Sequence, residues 1–173
     1  MHKFTILALF LISGAAYATP PLRDSLEFQS QITPMFPSTG SWLELPASAK
    51  LEEMRRAEEG CSAIGGPVGR WRVIDNRLWL SSLSRCRGDV ELSAVYGGSN
   101  EPILAVWVSA ELITFGGKPL CVGPYFTFWE KTIKLKVEQG VVKSVVETNN
   151  ENDPQVPKSK SAEGIVPCLP ARR

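Results

Sequence analysis

The sequence predicts a mainly β protein: a small antiparallel meander sheet or partly closed barrel of five to six strands with one N-terminal helix. Three observations predict it. Short segments rich in β-branched and aromatic residues fill the chain from Trp71 to Thr148. Tight-turn residues separate them, so that sequence neighbours pair antiparallel. A single stretch, about residues 47–59, strings strong helix formers together.

Residues 1–18 have the three parts of a secretory leader. Lys3 supplies the charged start, Phe4 to Ile12 an apolar run too short to span a bilayer, and Ala16-Tyr17-Ala18 a small-x-small cleavage signature. Cleavage after Ala18 leaves 155 of the 173 residues, the size of one domain, and removes the only histidine, His2. It also removes Lys3 and no acid, taking the formal charge from +1 to zero. The protein is therefore expected to be exported, periplasmic or secreted, with no transmembrane segment after cleavage. A neutral chain lacks the basic footprint of a nucleic-acid binder. Its near-zero charge instead favours association with another protein.

Residues 19–45 carry Pro, Ser and Thr among scattered apolar residues and read as an irregular N-terminal arm. Residues 46–148 form the folded domain. Pro46 suits the first turn of the helix, Leu51, Met54 and Ala57 recur three apart on one face, and Gly60 stands where a C-terminal cap belongs. Glu52, Glu53, Arg55, Arg56, Glu58 and Glu59 read as a solvated face of i,i+3 and i,i+4 pairs.

Trp71–Ile74 and Arg77–Leu80 flank Asp75-Asn76, residues that tolerate the positive φ of a two-residue hairpin turn. The implied register sets Ile74 opposite Arg77, Val73 opposite Leu78, Arg72 opposite Trp79 and Trp71 opposite Leu80. Trp71, Val73, Leu78 and Leu80 then share an apolar face that should look into the core.

Asp89 to Tyr96 reads as a short connection with one helical turn at most. Ile103 to Phe115 reads as a central strand buried on both faces for part of its length, ended by a turn at Gly116-Gly117-Lys118-Pro119. In 126–138, Trp129, Ile133, Leu135 and Val137 alternate with polar residues. Gln139-Gly140 turns this strand into Val141–Thr148, with Val137 opposite Val142, Leu135 opposite Ser144 and an unfavourable Lys136–Lys143 pair. Residues 149–173, polar and Pro-rich, read as a mostly disordered tail pinned by Cys168.

The four cysteines, Cys61, Cys86, Cys121 and Cys168, are an even count in an exported chain and favour two disulfides. Their spacing contains no C-x-x-C, and with histidine gone a zinc site would need all four thiolates, so no metal and no cofactor is expected. Three connectivities exist. Strand geometry brings Cys86 towards the start of the first hairpin strand, which Cys61 approaches through the glycine-rich loop 65–69. This favours Cys61–Cys86 and, by elimination, Cys121–Cys168.

Catalytic motifs find little support. Gly60-Cys61-Ser62-Ala63-Ile64-Gly65 is one residue too long for a nucleophile elbow, and no histidine is present to activate Ser62. Gly65-Gly66-Pro67-Val68-Gly69 lacks the Lys-Ser/Thr of a phosphate loop. Of the acids in or near strands (Asp75, Asp89, Glu91, Glu111 and Glu130), Glu111 lies in the most apolar strand and is the best placed for a glycosidase-type carboxylate. No catalytic residue is assigned.

The remaining signal is cationic and aromatic. Trp79 stands opposite Arg72 with Arg77 on the same face, a combination suited to a protein-binding spot. The chain is accordingly expected to be a binding or inhibitory, immunity-like module of the bacterial envelope rather than an enzyme. The alternatives are a small-ligand carrier with a barrel cavity and a carboxylate-based glycan hydrolase.

Overall fold

A computed structural model of the chain describes residues 22–57, 67–86, 88–123 and 126–153. They form a mainly β architecture built on one sheet whose ladder does not close. The strand count departs from the expected five to six. Among the described residues there are ten strands, and two helices rather than one. The difference comes from strands too short to show in sequence and from a contribution by the N-terminal arm.

Within the stretch read as irregular, β1 (Ser25–Phe28), β2 (Gln31–Pro34) and β3 (Phe36–Pro37) are extended. β1 and β2 form a hairpin turned by Gln29 and Ser30, both at positive φ. β1 also pairs with β4 (Val68–Ile74), and this pairing is parallel. A pure antiparallel meander is thereby excluded. The long excursion through β2, β3 and α1 supplies the crossover that a parallel pair requires.

One stretch of chain nearly joins the ends of the sheet, whose order is β2-β1-β4-β5-β10-β9-β8-β3. β2 at one end and β3 at the other are separated only by Met35, which is fully buried. β3 pairs with β8 (Ala110–Val122) through Phe36↔Ile113 and Pro37↔Leu112. Where β2 meets β8 no ladder forms, and side chains stitch the seam. Thr33 Oγ1 shares a 2.7 Å hydrogen bond with Thr114 Oγ1 and donates to the Phe115 carbonyl at 3.1 Å. Gln31 accepts from the Gly117 N–H at 2.9 Å.

α1 (Ala49–Ala57) begins later than Pro46 suggested, because Ser48 caps it. The Ser48 hydroxyl accepts the Leu51 N–H at 3.0 Å. Leu51 and Met54 enter the core, whereas Ala57 is exposed. The charged face is solvated as expected, with Lys50–Glu53 and Arg55–Glu52 pairs at i,i+3. Gly60 lies outside the described residues. The core is one cluster, centred on Leu26, Met35, Trp71, Leu78, Leu80, Leu112 and Leu135, all nearly inaccessible to solvent.

β4 and β5 (Arg77–Arg85) pair in the register expected from Asp75-Asn76, with φ of 50° and 57° at the turn. Trp71, Leu78 and Leu80 are buried and Val73 packs against the core. β5 then takes two short partners, β6 (Gly88–Val90), which the sequence did not mark, and β7 (Ile103–Leu104), the start of the expected strand from Ile103. α2 (Ser93–Tyr96) is the single helical turn between them.

The expected strand from Ile103 to Phe115 is broken. Residues 105–109 form a turn, with the Val108 N–H on the Ala105 carbonyl at 2.9 Å, and β8 starts only at Ala110. It then runs through the supposed turn at 116–119 by way of register shifts. Gly116 sits close against β9, where a Cβ would stand 2.9 Å from Ile133 Cδ1. The Lys118 N–H is taken up by Glu130 at 3.0 Å.

β9 (Thr127–Glu138) and β10 (Val141–Asn149) follow the expected register only as far as Val137↔Val142. Lys143 then forms a bulge. Lys136 faces Ser144 and Leu135 faces Val145, so the like-charged Lys136–Lys143 opposition never occurs.

No described helix is long and apolar enough to cross a membrane. The leader (1–18), Cys61, Ser62, Cys168 and the tail from residue 154 lie outside the described residues. Neither Cys86 nor Cys121 is a free thiol, and the pairing expected for each ends on a cysteine outside that set.

Candidate functional site

The three residues singled out from sequence do not form one patch. Arg72 stands opposite Trp79 in the ladder, but its guanidinium turns to the neighbouring strand. Its Nε donates to Glu27 Oε2 on β1 at 2.6 Å, and that hydrogen bond, with the charge behind it, raises the Arg72 pKa. Trp79 is half-buried, with Leu104 of β7 opposite it on its other side. Its Nε1–H is shielded from solvent and has no acceptor among the described residues. Arg77 stays exposed at the hairpin tip. Beside Arg72 lies a polar recess of about 310 Å³ between Arg70, Ser81 and Ser82. Its charges are matched, Arg70 with Asp89 at 2.9 Å and Arg72 with Glu27.

A larger concavity forms where the N-terminal arm crosses β8 and β9, a cleft of about 740 Å³. β3 contributes Phe36 and β8 contributes Phe115, whose ring centroids are 6.1 Å apart edge to face. β9 contributes Trp129, stacked on Phe115 at 6.2 Å. Phe126 and Ile32 complete the apolar wall and are 48% and 63% exposed, unusual for side chains of this size. Trp129, which the alternation groups with the buried Ile133, Leu135 and Val137, instead lines the cleft. Arg23 adds the one cation among the described lining residues, its Cζ 4.7 Å from the Phe36 ring centroid.

Below the cleft sits Asp24, 1% exposed. Its Oδ1 accepts the Gly69 N–H at 2.7 Å and the Trp71 indole N–H at 3.0 Å, and its Oδ2 accepts the Leu43 N–H at 2.8 Å. Burial pushes its pKa up, and the three donors offset this only in part. Asp24 thus knots the arm, the segment before α1 and β4 together and fixes the cleft floor. The buried Thr33–Thr114 pair fixes the adjoining seam.

The acids weighed from sequence lie elsewhere. Glu111 is not buried within its apolar strand but exposed on its outer face, 3.8 Å from Lys134 Nζ. Glu91 holds Asn100, Glu130 holds Lys118, and Asp75 occupies the hairpin turn. Among the described residues no three His, Cys, Asp or Glu side chains converge as metal ligands.

The cleft was missed because its parts are remote in sequence. Arg23 and Asp24 sit in a stretch that reads as a polar arm, and their partners lie up to 47 residues away. The one local signal was the density of aromatics at 126–129 beside a strand that needed only one inward ring. No protein-family model, curated protein or solved structure matches the chain.

Proposed function

We propose that the protein is an exported binding module that engages, and by engaging inhibits, another protein of the bacterial envelope, without chemistry of its own. The observation that carries this reading is the open aromatic cleft with one cation at its rim. Such a surface suits an apolar side chain of a partner seated on Phe115 and Trp129, with a neighbouring carboxylate drawn to Arg23. The one carboxylate among the described lining residues, Asp24, commits both oxygens to three N–H donors and is structural. The binding surface is accordingly the cleft rather than Arg72, Arg77 and Trp79.

The test is quantitative capture from an envelope extract by the oxidised protein. Phe126→Asp and Arg23→Glu should each abolish stoichiometric capture, while Arg72→Ala with Trp79→Ala should retain it. Capture lost only in the second set would move the site back to the hairpin face and end this assignment.

A small-ligand carrier is the second reading, favoured by one observation: 740 Å³ with mostly apolar walls is a typical small-molecule volume. On that reading the ligand occupies the cleft and not the space inside the sheet, which the core side chains fill. A low-mass compound released on denaturation and absent from the Phe126→Asp variant would select it.

A further inference from the structure

Two sets of polar groups in the cleft are left unused by the fold, and they constrain what can fill it. The first belongs to β2. The Met35 N–H donates to the Asp24 carbonyl at 2.8 Å, which fixes the alternation of the β1–β2 hairpin. Counted from that bond, Thr33 and Gln31 turn their backbone groups towards β1, and Pro34 and Ile32 turn theirs away. The Pro34 carbonyl accepts the Thr114 hydroxyl at 3.0 Å, and proline has no N–H to offer. The Ile32 N–H and C=O have no hydrogen-bond partner among the described residues. Ile32 lines the cleft with its side chain largely exposed, so this free edge borders the cleft. The second set is the Arg23 guanidinium. Arg70 and Arg72 are each paired with an acid, whereas Arg23 lies over the Phe36 ring with no carboxylate in ion-pair distance among the described residues. Phe36 follows Ile32 by four residues, about 13 Å of extended chain.

We propose that the cleft takes its partner as an extended, acidic segment of polypeptide. One residue of that segment bridges the edge of β2 at Ile32 through two hydrogen bonds. Its apolar side chains lie on Phe115, Phe126 and Trp129, and an acidic side chain a few residues along pairs with Arg23. The inference rests on the cleft being the binding surface and adds what kind of segment fills it. A helix uses its own N–H and C=O groups internally and has none for Ile32. A purely apolar molecule would cover Ile32 and Arg23 and leave both without partners. The bridge is a single rung, because Pro34 has no N–H for the next one and its carbonyl is already taken.

The probe is the capped peptide acetyl-Glu-Thr-Val-Leu-Val-Thr-Glu-amide, whose acid at each end serves either chain direction. Titration into the full oxidised protein is followed by nuclear magnetic resonance, which also reads the Ile32 amide. The expected result is saturable binding with a Kd of about 500 μM or below, and slowed hydrogen exchange at the Ile32 N–H. Two analogues carry N-methyl groups on alternate residues, each blocking one edge of the strand. One should weaken binding at least about tenfold and the other should keep it, because only one edge faces β2. Glutamine in place of both acids should weaken binding about threefold, and Arg23→Gln should erase that difference. Equal binding of the parent and both analogues overturns the proposal while leaving the cleft as the binding surface. Equal losses in both analogues overturn it as well, since no single edge is then read. A parent peptide that fails to bind at about 2 mM, or that binds Phe126→Asp as well as wild type, also overturns it, whatever partner the cleft captures from an envelope extract.

Discussion

Replacing Asp24 should unfasten the arm from the sheet, and the cost can be worked from three contacts. Asp24→Ala leaves the Gly69 and Leu43 amides and the Trp71 indole N–H without their acceptor. A buried donor left unsatisfied costs about 1–3 kcal/mol. The low end applies, because the vacated volume borders the open cleft and admits water, so the three sum to about 3 kcal/mol. Relief from burying a carboxylate returns part of this, leaving a net loss of about 2 kcal/mol. Asp24→Asn keeps an oxygen for Gly69 and Trp71 but turns an NH₂ towards the Leu43 N–H, a loss of about 1 kcal/mol. The pH dependence carries the sign. Asp24 has a folded pKa raised above its ordinary 3.8, so the folded state holds its proton longer than the unfolded chain does. Its contribution is therefore most favourable below about 3.8 and declines as pH rises through the folded value. Urea denaturation followed by tryptophan fluorescence, from pH 3.5 to 7, reads both quantities. The gap between wild type and Asp24→Asn should narrow as pH rises. An Asp24→Ala variant within about 0.5 kcal/mol of wild type, or a gap that widens with pH, would refute the reasoning.

Three further predictions follow from the same packing. Thr33→Val removes the hydroxyl that stitches β2 to β8 and should cost about 1–2 kcal/mol in chemical denaturation, with Thr33→Ser restoring most of it. Gly69→Ala places a Cβ 2.3 Å from Trp71 Nε1 and displaces the indole from Asp24, so the melting transition should fall by the equivalent of about 2–3 kcal/mol. Peptide mapping under non-reducing conditions should return Cys61–Cys86 and Cys121–Cys168, and any other pairing corrects the strand argument behind that assignment.

The parts of the fold that the sequence made legible are those with local causes. Asp75-Asn76 sets a two-residue turn, and the turn sets the β4–β5 register. Gln139-Gly140 does the same for β9–β10 until Lys143, where a like-charge clash on paper becomes a bulge in the structure. What could not be read is nonlocal. β1 is four residues long and is held by a parallel partner far along the chain, so neither periodicity nor turn chemistry marks it. The gap in the Trp79 reading has the same origin. A hairpin register states which residues are opposite, but not that a third strand brings Glu27 to Arg72 or that β7 covers Trp79. The cleft unites five strands and a segment ahead of them, and its cation and buried acid are adjacent residues of an arm that carries no pattern of its own.

Hydrogen–deuterium exchange on the protein alone and in complex with its captured partner tests the central claim most directly. Binding through the cleft predicts protection confined to residues 22–36 and 115–129, with 72–79 unchanged. Protection centred on 72–79, with none at the cleft, would contradict it.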